Sequence, residues 1–147
     1  MRFLSLAAGL FLIVSLTAAS PPDTSGDLGA LQGSWKLVAG EIGGQKMAAE
    51  QLKKAKLLFN GDRYTVRRGN GPTVTGIVKL DATKSPKTID ITDADGSYKG
   101  KTLLGIYSVK GGELTECFAP PGKARPAKFA TQAGTSQFLH VWKHVKN

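Results

Sequence analysis

Cysteine is nearly absent from this chain: Cys117 is the only one in 147 residues. No disulfide can form within the chain, so stability rests on a packed core. Histidine is almost as scarce. His140, His144 and Cys117 together fall short of the four Cys or His ligands of a structural zinc site. On a strand, the i, i+4 spacing of the two imidazoles holds them about 13 Å apart, too far to share a metal. Neither a metal nor a cofactor is expected. Acidic residues are also few, 11 against 20 Lys and Arg, which leaves a net charge of +9. The basic residues are scattered, and only Lys53-Lys54-Ala55-Lys56 and Arg67-Arg68 cluster. Such charge serves solubility, and no nucleic-acid partner is expected.

Long apolar runs are missing, with one exception. Residues 4–16 are apolar, follow Arg2, and lead into Thr17-Ala18-Ala19-Ser20. A positive start, a short apolar stretch and small residues make a signal peptide over 1–19, cleaved after Ala19. The run is shorter than the roughly 20 residues of a membrane span. A buried N-terminal helix is the alternative, and this order of features disfavours it. The chain is therefore expected in the periplasm or outside the cell, with no transmembrane segment once processed. Residues 20–30, rich in Pro, Asp, Ser and Gly, read as a flexible leader, and one domain follows over 31–147.

Short β-type runs punctuated by Gly, Asn, Asp and Pro fill that domain. Trp35, Leu37 and Ala39 share one face of a first strand. Residues 47–56 are the only helical stretch. Leu57-Leu58-Phe59 follows, and Asn60-Gly61 signals a hairpin, since both residues tolerate the positive φ of a type I′ turn. Tyr64 and Val66 share a face. So do Val74, Gly76, Val78 and Leu80, and then Ile89 and Ile91. Strands over 103–109 and 113–119 meet at Gly111-Gly112, and a last strand spans 137–145 after a loop at 120–126. About eight strands on tight turns must pair antiparallel, and that number closes readily into an up-and-down barrel. The fold class is all-β with one short helix. A two-sheet sandwich is the alternative.

The stretch Leu31-Gln32-Gly33-Ser34-Trp35-Lys36-Leu37 resembles the Gly-x-Trp opening strand of lipocalins. With Pro86-Lys87-Thr88-Ile89-Asp90-Ile91, Gly105-Ile106-Tyr107, Leu114, Cys117-Phe118-Ala119, Pro121-Gly122 and Arg125-Pro126 in order, the chain resembles a family of small, mostly exported, uncharacterised domains abundant in planctomycetes. The resemblance implies a lipocalin-like barrel and carries no activity. It also implies a basic residue of the last strand packed over Trp35, for which Lys143 is the candidate.

Catalytic patterns are equally sparse. Residues 96–102 imitate a P-loop but place three residues between the glycines, and a strand follows where a helix is needed. Asp93-x-Asp95-Gly96 imitates part of a calcium loop, yet Ile91 stands where an oxygen ligand is required. No Gly-x-Ser-x-Gly elbow occurs. Cys117 and His140, with Asp90 to orient the ring, form the one conceivable nucleophilic set, but no helix N-terminus lowers the thiol pKa. A buried, inert thiol is the simpler reading.

Glu116 stands out, because period two puts it inward between Leu114 and Phe118 unless a bulge turns it outward. An interior carboxylate needs a partner, and Arg125, Lys143 or a ligand could supply one. Phe138, His140 and Trp142 share one face of the last strand, and Leu139 and Val141 the other. The leading expectation is an exported, non-catalytic binding module. It holds a small, mainly apolar ligand inside the barrel against Tyr64, Val78, Tyr107 and Glu116, with Gly76 leaving room. The alternative is a cell-envelope domain that docks a partner by its basic face and the 120–126 loop. A filled interior would favour that alternative. A hydrolase ranks third.

Overall fold

A computed structural model describes residues 26–146. The expected signal peptide and its cleavage site lie outside the described residues. The elements are α1 (Gly26–Leu31), β1 (Gly33–Ile42), β2 (Gln45–Lys46), α2 (Ala49–Lys54), β3 (Lys56–Asn60), β4 (Arg63–Arg67), β5 (Thr73–Asp81), β6 (Thr88–Asp93), β7 (Thr102–Lys110), β8 (Glu113–Phe118) and β9 (Phe138–His144). From β3 to β9 each strand pairs antiparallel with the next. β1 pairs with β3 on one side and with β9 on the other, so eight strands close into a barrel and β2 is an extra strand beside β1. Closure removes the free edges that an open sheet of this size would expose. No helix among the described residues is long and apolar enough to cross a membrane.

Glycines permit the tight hairpins. Gly111 and Gly112 both take positive φ between the paired ends Lys110 and Glu113. The β3–β4 hairpin differs from the expected form. Asn60 stays in the strand, paired with Arg63, and Gly61-Asp62 makes the turn with only Gly61 at positive φ. That is the type II′ pattern, which needs glycine at the first turn position alone.

β1 departs from simple alternation as well. Its pairing with β9 shifts between Leu37 and Ala39, so Val38 is an extra residue. The bulge turns Ala39 outward and brings Gly40 inward, and Ala39 does not share the face of Trp35 and Leu37. The helix expected over 47–56 is shorter, because Lys56 already belongs to β3, paired with Lys36 and Arg67.

Gly26–Leu31 form a helix ahead of the expected start at Leu31, within the stretch read as a flexible leader. α1 closes one end of the barrel. Leu31 is fully buried, and its carbonyl accepts the Trp35 indole N–H at 2.7 Å. Asp27 accepts from Tyr107 Oη at 2.8 Å and Lys87 Nζ at 2.7 Å. The opposite end is bordered by α2 and by the segments 68–72, 94–101 and 119–137.

The interior is filled by its own side chains. Trp35, Tyr107, Phe118 and Trp142 are buried among Leu57, Phe59, Ile89 and Leu114. Two inward glycines make room for rings rather than for a ligand. A Cβ on Gly76 would collide with the Tyr64 ring, and one on Gly105 would lie 2.5 Å from Phe118 Cδ1. The outer face carries a second buried layer. Ile106 and Cys117, cross-strand partners facing outward, are covered by the segment after β8. In that segment Ala130 O lies 3.6 Å from Cys117 Sγ, and Arg125 Nη1 donates to Gly105 O at 2.7 Å.

Candidate functional site

The four residues expected to contact an internal ligand are all buried on the inner face of the wall. Val78 and Tyr107 border an open cleft of about 430 Å³ beside α1. Glu116 is the cross-strand partner of Tyr107, and Tyr64 opposes Gly76, two residues from Val78. The polar three already have partners. Tyr64 Oη donates to Asp93 Oδ1, Tyr107 Oη donates to Asp27, and Glu116 Oε1 accepts the Trp142 Nε1–H at 2.8 Å. Burial, helped by the adjoining carboxylate, raises the pKa of both tyrosines. They remain neutral donors at any ordinary pH.

Glu116 does point inward, as its period requires, but its partner is Trp142. Lys143 instead pairs with Glu113 at 2.8 Å, and Arg125 with Asp90 at 2.7 Å. Lys143 does not cover Trp35 either. That place belongs to His144, whose ring stands edge-on to the indole with centroids 4.9 Å apart. β1 and β9 set Trp35 directly opposite His144, which leaves Lys143 on the outer side.

The nucleophilic set is not assembled. In the β8–β9 pairing Glu116 opposes His140 and Cys117 opposes Leu139, so thiol and imidazole lie on opposite faces. Burial pushes the Cys117 thiol pKa up, and Asp90 is engaged by Arg125. Asp93 and Asp95 likewise separate. Asp93 faces inward, while Asp95 staples the turn to Thr75 through two hydrogen bonds of 2.8 Å.

The unusual chemistry gathers at the open end. His140 is 1% exposed, and neither ring nitrogen has a hydrogen-bond partner among the described residues. Its Nδ1 lies 3.8 Å from Glu116 Oε1, beyond hydrogen-bonding reach. Burial lowers its pKa, Glu116 partly restores it, and Arg68 lowers it further. The ring is therefore a neutral imidazole with one donor and one acceptor to give. It is wedged between Phe138 and Trp142, with centroids 5.0 and 5.5 Å away, and faces Gly40 across the β1–β9 pair. A Cβ on Gly40 would meet Met47 Sδ and lie 3.5 Å from His140 Cδ2, so glycine allows this packing.

Arg68, the residue after β4, reaches across the same end. Its guanidinium carbon lies 5.1 Å from the Phe138 ring centroid, and its buried Nε–H has no partner among the described residues. Each orphaned buried polar group costs about 1–3 kcal/mol when nothing pairs with it. His140 and Arg68 border a chamber of about 190 Å³ with Leu103 and Phe138 among its walls. A second recess of about 190 Å³, bordered by Asp93, meets it at Arg68 and Tyr98. The larger hollows, about 510 Å³ each, open on the outside of the barrel.

In sequence, Asp93 reads as part of an imitation calcium loop and Arg68 as one of a basic pair, and neither is placed at the barrel mouth, although a signal is present. Arg68 continues the inward row Tyr64, Val66 at period two, and Asp93 continues Ile89, Ile91. Each is a charged residue ending an apolar row, the position at which a barrel wall meets its mouth. In comparisons with protein-family models, curated proteins and solved structures, the chain matches none.

Proposed function

We propose that the domain is an exported, non-catalytic binding module that takes a small polar ligand at the open end of its barrel. The observation that carries this reading is His140, 1% exposed with both nitrogens unpartnered beside a chamber of about 190 Å³. Buried polar groups in folded proteins almost always find partners, and an exception of this kind marks a place where water or a ligand completes the set. The filled interior argues against a ligand held deeper inside, and for a polar rather than a mainly apolar one. The leader over 1–19 and the resemblance to exported planctomycete domains support export. The separation of Cys117 from His140 supports a non-catalytic role.

Two measurements test the reading. N-terminal sequencing of the protein from its host should find a chain beginning near Ser20. Native mass spectrometry of the same material should find a small molecule that leaves when His140 or Arg68 is replaced. A bound molecule indifferent to both replacements would refute the site.

A second reading is docking by surface to a cell-envelope partner. The observation favouring it is an outer hollow of about 510 Å³ between β1, β3 and β4, where Lys36, Lys56 and Arg67 surround Leu58 and Val145 with no carboxylate among its walls. The 120–126 loop offers less to this reading, because Arg125 is tied to the wall and Pro126 is buried.

A further inference from the structure

We infer that the chamber at the open end takes a small monocarboxylate, held by the Arg68 guanidinium with the His140 imidazole as a second donor. The inference rests on the mouth being the binding site and adds the ligand's chemical class.

Charge decides the sign. Among the described residues, Arg68 is the only charged side chain bordering the chamber, and no carboxylate lines it. The planar guanidinium presents parallel N–H donors that match the two oxygens of a carboxylate. The Arg68 guanidinium carbon lies over the Phe138 ring, 5.1 Å from its centroid, so the ring supports the guanidinium beside the chamber. The buried Nε–H, without a partner among the described residues, is one of the guanidinium donors. The neutral ring of His140 adds a donor that needs no second positive charge.

The same surroundings limit the ligand to one negative charge. Glu116 lies 3.8 Å behind His140, and Asp93 borders the neighbouring recess that shares Arg68 and Tyr98. A dianion such as phosphate would be repelled by both carboxylates from behind the wall, with a single guanidinium to offset them. Beside Tyr98 and Ser136, the walls Ile42, Leu103, Pro120 and Phe138 are apolar and suit a short hydrocarbon or aromatic body. A chamber of 190 Å³ corresponds to about six water volumes, enough for a ligand of about six to eight non-hydrogen atoms.

The test is a titration of the full chain, followed by NMR, with butyrate, its neutral amide butyramide, and inorganic phosphate. Butyrate should shift the His140 and Phe138 signals and bind more tightly than the amide by about tenfold or more, as loss of a charge-assisted pair demands. Arg68→Gln should remove that preference, and Arg68→Lys should keep part of it, with spectra unchanged away from the mouth. Binding of butyramide or phosphate at His140 as tight as that of butyrate would overturn the carboxylate and leave the mouth as the site. Shifts confined to the outer hollow around Lys36 and Arg67, or none at His140 from any of the three probes, would overturn both.

Discussion

Inside the barrel wall the indole N–H of Trp142 donates to the carboxylate of Glu116 at 2.8 Å, a diagonal bond across β8 and β9. The two side chains are buried together, and the bond gives Glu116 the interior partner that a carboxylate needs. Glu116→Gln keeps an acceptor and should change stability little. Glu116→Leu leaves the Trp142 N–H orphaned and should cost about 1–3 kcal/mol in a urea titration. Equal effects of the two substitutions would show that the hydrogen bond contributes nothing.

Trp35 ties three parts of the molecule together: α1 through the Leu31 carbonyl, β1 by its own backbone, and β9 through the His144 ring. Trp35→Ala should destabilise by about 3–5 kcal/mol, as large-to-small changes in a packed core do. Denaturant midpoints measure it, and a loss below about 1 kcal/mol would place the ring outside the core.

Gly76 gives a contrasting case. A ligand cavity at that position would accept an added methyl group, whereas a wall filled by the Tyr64 ring would not. The added Cβ also meets the Thr92 carbonyl oxygen. Gly76→Ala should therefore cost about 1–3 kcal/mol through overpacking. A stabilised variant would mean that the space is open. Thermal melts distinguish the two.

His140 sets a dependence on pH. Its folded pKa is lowered by burial, so below about pH 6.5, the ordinary histidine value, the unfolded chain binds a proton that the folded chain does not. Stability from this group is full above that pH and falls as pH drops below it. His140→Asn should flatten the slope of unfolding free energy between about pH 5 and 6.5, read by urea unfolding at each pH. An unchanged slope would mean that the ring titrates normally in the fold.

Much of this architecture was legible along the chain. Alternation placed Tyr64, Val78, Ile89, Ile91, Leu114 and Glu116 on the inner face, and they are there, because the side-chain period of a strand is a local property of its backbone. Tight turns such as Gly111-Gly112 forced antiparallel neighbours, and their number implied closure. Period two also pointed Arg68 and Asp93 toward the mouth, had the rows been followed to their ends.

Partners and volume required the tertiary structure. The extra residue Val38 in β1 reversed the alternation of faces, sending Ala39 out and Gly40 in beside His140, and no local pattern marks such a bulge. Glu116 chose Trp142 over Arg125 and Lys143, His144 rather than Lys143 covered Trp35, and Cys117 fell on the far side of the wall from His140. These outcomes follow from register between strands distant in sequence, where a shift of one residue exchanges the two faces. Whether the barrel is hollow is likewise a matter of rings folding over glycines of the neighbouring strand. Tyr64 over Gly76 and Phe118 over Gly105 fill the interior and leave the unpaired polar groups, Arg68 and His140, at its open end.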